Sequence, residues 1–125
     1  MKNRKKVLIV DDSANIRKLI KVIVKKVGDF DYLEADNGKD GWEKAHKENP
    51  DLVILDLVMP GINGIELCKR IKEYRDVPVI IVTSETTYEA VKQAKEAGAD
   101  IFIGKPFEPE DLRLSVKELI SKAGN

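Results

Sequence analysis

The sequence predicts an α/β fold, a doubly wound parallel sheet of five strands with five helices on its two faces, and two observations support this. Short apolar runs alternate five times with longer segments in which apolar residues recur at every third or fourth position. Parallel strands are buried on both faces, so they read as continuous apolar runs separated by crossover helices. The length suffices for one core, and we expect residues 1–125 to form a single domain.

The five apolar runs are the predicted strands, and four of them end at a side chain that can bind or react. The first run is followed by Asp11 and Asp12, the third by Asp56 and the fifth by Lys105, while the fourth ends at Thr83. In chain order the predicted strands are Val7–Val10, Tyr32–Ala35, Leu52–Leu55, Val79–Thr83 and Ile101–Gly104.

The first predicted helix has the clearest amphipathic pattern. Its apolar residues recur at the spacing of one buried stripe, and Ser13 can cap its first turn. The stripe consists of Ile16, Leu19, Ile20, Ile23, Val24 and Val27. We interpret the opposite face as solvated, with a docking surface for an acidic partner as the alternative, and that face carries Arg17, Lys18, Lys21, Lys25 and Lys26.

The remaining helices follow the second to fifth strands. The second helix runs to about Glu48, the third spans Gly64–Glu73, and the last begins near Pro109 with acids in its first turn, where the helix dipole favours them. The fourth helix has only a thin apolar stripe, so we expect it to be the most weakly anchored. That stripe is Tyr88, Val91, Ala94 and Ala97.

The composition excludes several classes of function. Lys and Arg total 22, Asp and Glu total 22, and the formal net charge is zero. A general nucleic-acid or anionic-membrane binder would need an excess of positive charge, so we expect neither partner. No apolar run is long enough to cross a bilayer, and the single cysteine rules out an internal disulfide. We therefore expect a cytoplasmic protein.

The carboxyl ends of neighbouring parallel strands form the ligand-binding edge of an open sheet, so Asp11, Asp12, Asp56, Thr83 and Lys105 are expected to meet in one pocket. A divalent cation removes the repulsion between three carboxylates, and all-oxygen ligands favour Mg²⁺, with Mn²⁺ as the alternative, over zinc. The metal, the lysine and the hydroxyl suit a phosphoryl group. Because no glycine-rich phosphate loop is present, we expect Asp56 itself to carry that group as an acyl phosphate.

In this order, the motifs resemble the receiver domain of the response regulators of two-component signalling, the CheY-like family. The segments that carry the resemblance cover most of the chain; they are Val7–Ser13, Asp51–Asp56, Met59-Pro60 with Gly64, Pro78–Thr83, Gly98-Ala99 and Lys105–Phe107. The resemblance implies the flavodoxin-like strand order 2-1-3-4-5.

The resemblance also implies roles for individual residues. Asp56 would accept a phosphoryl group from a phosphohistidine of a sensor histidine kinase or of a histidine phosphotransfer protein. Asp11, Asp12, Asp56 and the backbone carbonyl of Val58 would hold Mg²⁺. Lys105 would contact the phosphoryl group, and a cis peptide bond would precede Pro106.

A conformational switch is implied as well. Thr83 would move toward the phosphoryl group and Phe102 would change its rotamer with it. The face formed by the fourth helix, the fifth strand and the last helix would then bind a downstream protein. Phe102 stands where the family often has Tyr, and Val58 and Glu85 are variable positions expected to tune the lifetime of the phosphorylated state.

Three other interpretations compete with a stand-alone signalling domain. A haloacid-dehalogenase-type phosphatase would need a second acid two residues after its nucleophile, where this chain has Val58. A flavodoxin-like FMN binder would need a phosphate loop where Asp11–Ala14 stands. The chain could also be the receiver part of a larger regulator with a DNA-binding or enzymatic output domain. We expect no enzyme, only a domain that promotes its own phosphotransfer and dephosphorylation.

Overall fold

The computed structural model describes residues 4–123, with side chains through residue 121, and in this range five strands alternate with five helices. The strands are β1 Lys5–Val10, β2 Phe30–Ala35, β3 Leu52–Leu55, β4 Val79–Thr83 and β5 Ile101–Gly104. The helices are α1 Ala14–Lys25, α2 Gly38–Glu48, α3 Gly64–Tyr74, α4 Tyr88–Glu96 and α5 Pro109–Ala123. Within residues 4–123, no helix has the length and apolar character that crossing a membrane requires.

All neighbouring strands are parallel, and their order in the sheet is β2-β1-β3-β4-β5. The predicted fold and strand order are therefore confirmed. The two ends of the predicted domain, residues 1–3 and 124–125, lie outside the described residues.

The sheet separates two apolar cores, which explains why its strands lack polar alternation. On one face, α1 and α5 pack against alternate residues such as Ile9, Ile54 and Ile80. On the other face, α2, α3 and α4 pack against the residues between them, such as Leu8 and Val53. Since both faces are covered, both sets of side chains are buried in β3, in β4 and in β1 from Val7 onward.

The first two strands begin two residues earlier than predicted. Lys5 and Lys6 pair with Phe30 and Asp31 at the start of the sheet. The backbone of Lys6 also forms two hydrogen bonds with Asp51, in the loop before β3. Lys6 N donates to the side-chain oxygen Asp51 Oδ2 at 2.8 Å, and Lys6 O accepts from Asp51 N at 2.8 Å. This pairing extends the strand through polar residues that an apolar pattern cannot reveal.

The stripe predicted for α1 is confirmed except at one residue. Ile20, Ile23 and Val24 are buried, and Ser13 caps the helix by accepting from Ile16 N at 3.2 Å. Leu19, however, is 43% exposed. It lies on the edge of the stripe, where no neighbouring helix covers it, so its burial was predicted wrongly.

The inward face of α4 is as thin as predicted, but only part of the predicted stripe forms it. Ala90, Ala94 and Ala97 are buried, whereas Tyr88 and Val91, which the stripe placed inward, are 82% and 39% exposed. Methyl side chains let α4 lie close to the sheet while burying little apolar surface. The helix therefore gains less from burial than α1 does.

One buried polar atom of the described residues lacks a hydrogen-bond partner. The phenol oxygen of Tyr32, on the edge strand β2, is shielded from solvent and unpaired. The ring meets Phe30 edge to face, with centroids 6.4 Å apart. Burying an unpaired hydroxyl costs free energy that the aromatic ring alone would not.

We expect Tyr32→Phe to leave the free energy of unfolding unchanged or to raise it by about 1 kcal/mol, because the variant keeps the ring and removes the unpaired hydroxyl. Urea unfolding followed by circular dichroism measures this. Tyr74→Phe is the control, since that exposed phenol donates to His46 O at 3.3 Å and its loss should change stability little. Marked destabilisation by Tyr32→Phe would show that the hydroxyl has a partner.

Candidate functional site

Backbone hydrogen bonds continue past the ends of the strands and bring the predicted site residues to one edge of the sheet. Asp11 N donates to Ala35 O at 3.0 Å, Asp56 N donates to Val10 O at 3.0 Å, and Lys105 N donates to Thr83 O at 2.7 Å. The first residue after each of these three strands is therefore held by the same kind of backbone hydrogen bond as the strand itself. Asp11, Asp56 and Thr83 are buried, at 2%, 5% and 0% exposed.

The ammonium group of Lys105 shows directly that the strand ends converge. Its Nζ donates to Asp11 Oδ2 at 2.8 Å and to Asp56 Oδ2 at 3.0 Å, although the three residues are far apart in sequence. Burial by itself would lower the pKa of Lys105, but the hydrogen bonds and charges of the two carboxylates outweigh it and raise the pKa. The lysine therefore stays charged and compensates the two acids.

The second oxygen of each buried carboxylate is oriented by a backbone N–H two residues further on. Asp11 Oδ1 accepts from Ser13 N at 2.9 Å, and Asp56 Oδ1 accepts from Val58 N at 3.1 Å. These turns fix the carboxylate planes before any ligand arrives. The side chain of Val58 is 53% exposed at the mouth of the site.

Of the four predicted metal ligands, the three carboxylates lie close enough to share one ion. One carboxylate oxygen each from Asp11, Asp12 and Asp56 lies within 4.8 Å of the others. Asp12 is exposed, so the cluster opens to solvent on one side. Hard oxygen donors with room for water molecules fit Mg²⁺, which keeps several of its waters when it binds a protein.

Among the described residues, neither predicted switch side chain takes part in the hydrogen bonds of the acidic cluster, although the backbone carbonyl of Thr83 accepts from Lys105 N. Thr83 Oγ1 accepts from Glu85 N at 3.1 Å, which ties the hydroxyl to the loop before α4. Phe102 is half-buried and packs against the core beneath α2, α3 and α4. The peptide bond between Lys105 and Pro106 is cis, as the resemblance implied.

The loop between β3 and α3 folds back tightly on the acceptor strand, a feature that we did not derive from the sequence. Gly64 N donates to Leu57 O at 3.1 Å. A Cβ atom on Gly64 would lie 2.4 Å from Leu57 Cα and 2.5 Å from Asp56 O. The glycine lets α3 begin directly against the backbone of Asp56, and only the motif spacing in the sequence signalled it.

Arg17 is a second residue whose role the sequence did not show. Its side chain is 17% exposed, and its guanidinium donates to Asp11 O at 2.7 Å and to Glu34 Oε1 at 2.9 Å. The interpretation of Arg17 as part of a solvated helix face is therefore wrong. A basic residue one turn into a helix is common, so its spacing alone gave no signal.

Comparison with known proteins identifies the family. A family model described as the response regulator receiver domain matches residues 7–117. The chain belongs to the response regulator receiver family. Receiver domains are phosphorylation-dependent modules of two-component signalling; they generally bind Mg²⁺ at a cluster of aspartates and interact with histidine kinases and with output domains or targets.

Its relatives include both long and short regulators. The chain is 40% identical over 121 residues to the transcriptional regulatory protein ResD of Bacillus subtilis, covering 97% of this chain and 50% of that protein. It is 38% identical over 119 residues to a chemotaxis protein CheY homolog of Campylobacter jejuni, covering 92% of each. This receiver domain thus spans about half the length of one kind of relative and nearly all of another.

The solved structures agree with this assignment. A CheY-like response regulator receiver domain protein from Methanospirillum hungatei superposes with a TM-score of 0.90 at 30% identity, covering 98% of both chains. The beryllofluoride-activated DrrB receiver domain has a TM-score of 0.85 at 33% identity, covering 95% of this chain and 99% of that one.

We expect Gly64→Ala to reduce the free energy of unfolding by about 2 kcal/mol and to weaken binding of Mn²⁺, because the added methyl group displaces the backbone of Asp56. Urea unfolding and a Mn²⁺ titration measure the two effects. Gly28→Ala is the matched control, since a Cβ there would meet only the Phe30 ring, at 3.7 Å. Wild-type stability in Gly64→Ala would contradict the close approach.

We expect Lys105→Met to lower the melting temperature without divalent cations and to enlarge the increase that Mg²⁺ produces. Without the ammonium, the carboxylates of Asp11 and Asp56 repel each other, and the cation no longer competes with the lysine. Thermal unfolding across a Mg²⁺ titration measures both effects.

Lys72→Met is the control for that experiment. Lys72 is as buried as Lys105, with 16% of its side chain exposed against 18%, and it pairs with Asp100 at 3.1 Å. Its loss should lower the melting temperature by the same amount with and without Mg²⁺. An equal Mg²⁺-induced increase in melting temperature in wild type and Lys105→Met would refute the competition between Lys105 and the cation.

Proposed function

We propose that this receiver domain is a switch in which Asp56 accepts a phosphoryl group from a phosphohistidine of a histidine kinase or a histidine phosphotransfer protein. The observation that carries the proposal is the buried ion pair of Lys105 with Asp11 and Asp56. In the transfer, a carboxylate oxygen of Asp56 forms the new bond to phosphorus. The bond from phosphorus to the donor's histidine nitrogen breaks, and its electron pair stays on that nitrogen.

Each neighbour of Asp56 has a proposed task in that step. Val58 N holds Asp56 Oδ1, which leaves the opposite carboxylate oxygen to attack. Lys105, already 3.0 Å from Asp56 Oδ2, would shift its hydrogen bond to a phosphoryl oxygen. Asp11, Asp12 and Asp56, with the carbonyl of Val58, are proposed to hold Mg²⁺. When bound, the ion would neutralise charge on the phosphoryl oxygens.

We further propose that the switch passes from Thr83 to the face formed by α4, β5 and α5. Thr83 would exchange its hydrogen bond from Glu85 N for one to the phosphoryl group, and Phe102 would change rotamer with it. Three large apolar side chains on this face are exposed, Tyr88 at 82%, Val91 at 39% and Leu114 at 48%. Cavities of about 220 and 550 Å³ flank β5 there, and Phe102 lines both. This apolar, grooved surface suits a protein partner.

Two exposed side chains at the rim are proposed to set the lifetime of the acyl phosphate. Val58 and Glu85 flank the mouth of the pocket and are both exposed. A water molecule that hydrolyses the phosphorylated carboxylate would approach it past these side chains. A bulkier or less acidic pair would change how easily it reaches the phosphorus atom.

The downstream partner is proposed to be either a separate protein or an output domain that follows the receiver. Both arrangements occur among the relatives, since the chain covers half of the ResD protein and nearly all of the CheY homolog. Membership of the family supports a cytoplasmic signalling role without direct contact to nucleic acid or membrane. It also supports a domain that promotes only its own phosphotransfer and dephosphorylation, rather than an enzyme acting on other substrates.

Intact mass spectrometry after incubation with acetyl phosphate and Mg²⁺ tests the acceptor. We expect one added phosphoryl group in the wild type, none without a divalent cation and none in Asp56→Asn, because that variant lacks the nucleophilic carboxylate. Asp76→Asn is the control, since Asp76 is a fully exposed acid outside the site.

Comparison of the two variants shows whether phosphoryl uptake depends on Asp56 itself. Uptake by Asp76→Asn but not by Asp56→Asn supports the assignment. Uptake that persists in Asp56→Asn would sink it. If the wild type shows no adduct by mass, a beryllofluoride-induced change in the resonances of Thr83 and Phe102 would distinguish a short-lived phosphate from a degenerate site.

A further inference from the structure

Arg17 contacts the acidic cluster through the protein backbone and not through a carboxylate. Its Nη1 donates to the carbonyl oxygen of Asp11 at 2.7 Å, across the first turn of α1. The remaining polar atoms of Asp11 are also paired: its N–H with Ala35, its Oδ1 with Ser13 and its Oδ2 with Lys105. The contact from Arg17 therefore completes the fixation of the Asp11–Asp12 peptide.

Glu34, near the end of the edge strand β2, holds the guanidinium in place. Its Oε1 accepts from Arg17 Nε at 2.9 Å, and its Oε2 accepts from Lys21 Nζ at 2.6 Å. The hydrogen bond from Lys21, together with that from Arg17, keeps the pKa of Glu34 below its ordinary value. Lys44, on α2, donates to the backbone carbonyl of Glu34 at 2.5 Å. Lysines from α1 and α2 thus both hold Glu34, which in turn holds Arg17.

The peptide after Asp11 determines where Asp12 points. Asp11 is buried and oriented by its own carboxylate contacts, whereas Asp12 is exposed. The Asp11 carbonyl belongs to the peptide that links the two acids, so a rotation there would swing Asp12 away from Asp56. A ligand that must be held by its backbone depends on whatever fixes that backbone.

We propose that Arg17 is a positioning residue that raises the affinity of the site for its divalent cation by fixing the Asp11–Asp12 peptide, with Glu34 fixing Arg17. The inference rests on the proposed metal site. Charge alone would give the opposite effect, because a guanidinium near a cation site repels the cation. The paired carboxylate of Glu34 offsets that repulsion, so geometry is the larger effect of Arg17.

Electron paramagnetic resonance of free Mn²⁺ measures the affinity directly on the full chain, without phosphorylation. Arg17→Lys keeps the positive charge and loses the fork that joins Asp11 to Glu34. We expect the dissociation constant for Mn²⁺ to rise about tenfold in this variant, as for other residues that orient metal ligands. Glu34→Asp keeps the carboxylate charge but shortens the side chain, so it should weaken Mn²⁺ binding less, because it loosens Arg17 without removing it.

Arg113→Lys is the matched control, since Arg113 makes a similar forked ion pair with Glu110 on α5, at 2.6 Å. It should bind Mn²⁺ as the wild type does. Urea unfolding of each variant shows whether the folded state is populated under the titration conditions. If Arg17→Lys does not fold, Glu34→Asp carries the test alone.

The results distinguish this inference from the proposed function. If Arg17→Lys folds less stably but binds Mn²⁺ with wild-type affinity, Arg17 is purely structural and the inference fails. If Arg17→Lys does not fold, wild-type affinity in Glu34→Asp overturns it in the same way. If the wild type itself does not bind Mn²⁺, the metal site of the proposed function fails together with it.

Discussion

The mutual repulsion of carboxylates at one edge of the sheet is the constraint on which the rest of the site depends. Two of the three acids are buried, so solvent cannot screen them. Lys105 bridges Asp11 and Asp56 and supplies the compensating charge. Because the half-buried Lys105 is shared by both acids, its hydrogen bond to either one can be broken when another positive charge binds there. The ion pair that stabilises this form of the domain is thus also the contact that is most easily replaced by a contact with another cation.

Backbone geometry, more than side-chain packing, maintains that arrangement. Asp11, Asp56 and Lys105 each donate a backbone N–H to the strand beside them. Further N–H groups, from Ser13 and Val58, orient the two buried carboxylates. Gly64 contributes by having no side chain, which allows α3 to begin against the carbonyl of Asp56. A substitution that moves this backbone by a few tenths of an ångström therefore changes the position of Asp56 without contacting its side chain.

The parallel sheet and the convergence of the site could be predicted from the alternation of apolar runs with helical segments, whereas the strand order came from the resemblance to receiver domains. Apolar runs ending in Asp11, Asp56 and Lys105 are enough to bring these residues together once the strands are parallel. The structural role of Arg17 could not be predicted, because its partners come from β1 and β2 and its own helix pattern reads as solvated. Leu19 and Tyr88 were placed inward by the same periodicity, yet burial depends on whether a neighbouring element covers that side, and none does.

The two ends of α4 are anchored unequally, which matters for how a signal could leave the site. At the carboxyl end, Asp100 accepts from both Val79 N, at 2.8 Å, and Lys72 Nζ, at 3.1 Å, which ties the turn after α4 to α3 and β4. At the amino end, the loop after Thr83 is exposed and packs Thr86 against the bare backbone of Gly104. Elements that move are drawn from the weakly packed parts of a fold. The proposed rearrangement at Thr83 would therefore meet the less anchored end of α4 first, and it would displace the side of the helix that carries Tyr88 and Val91.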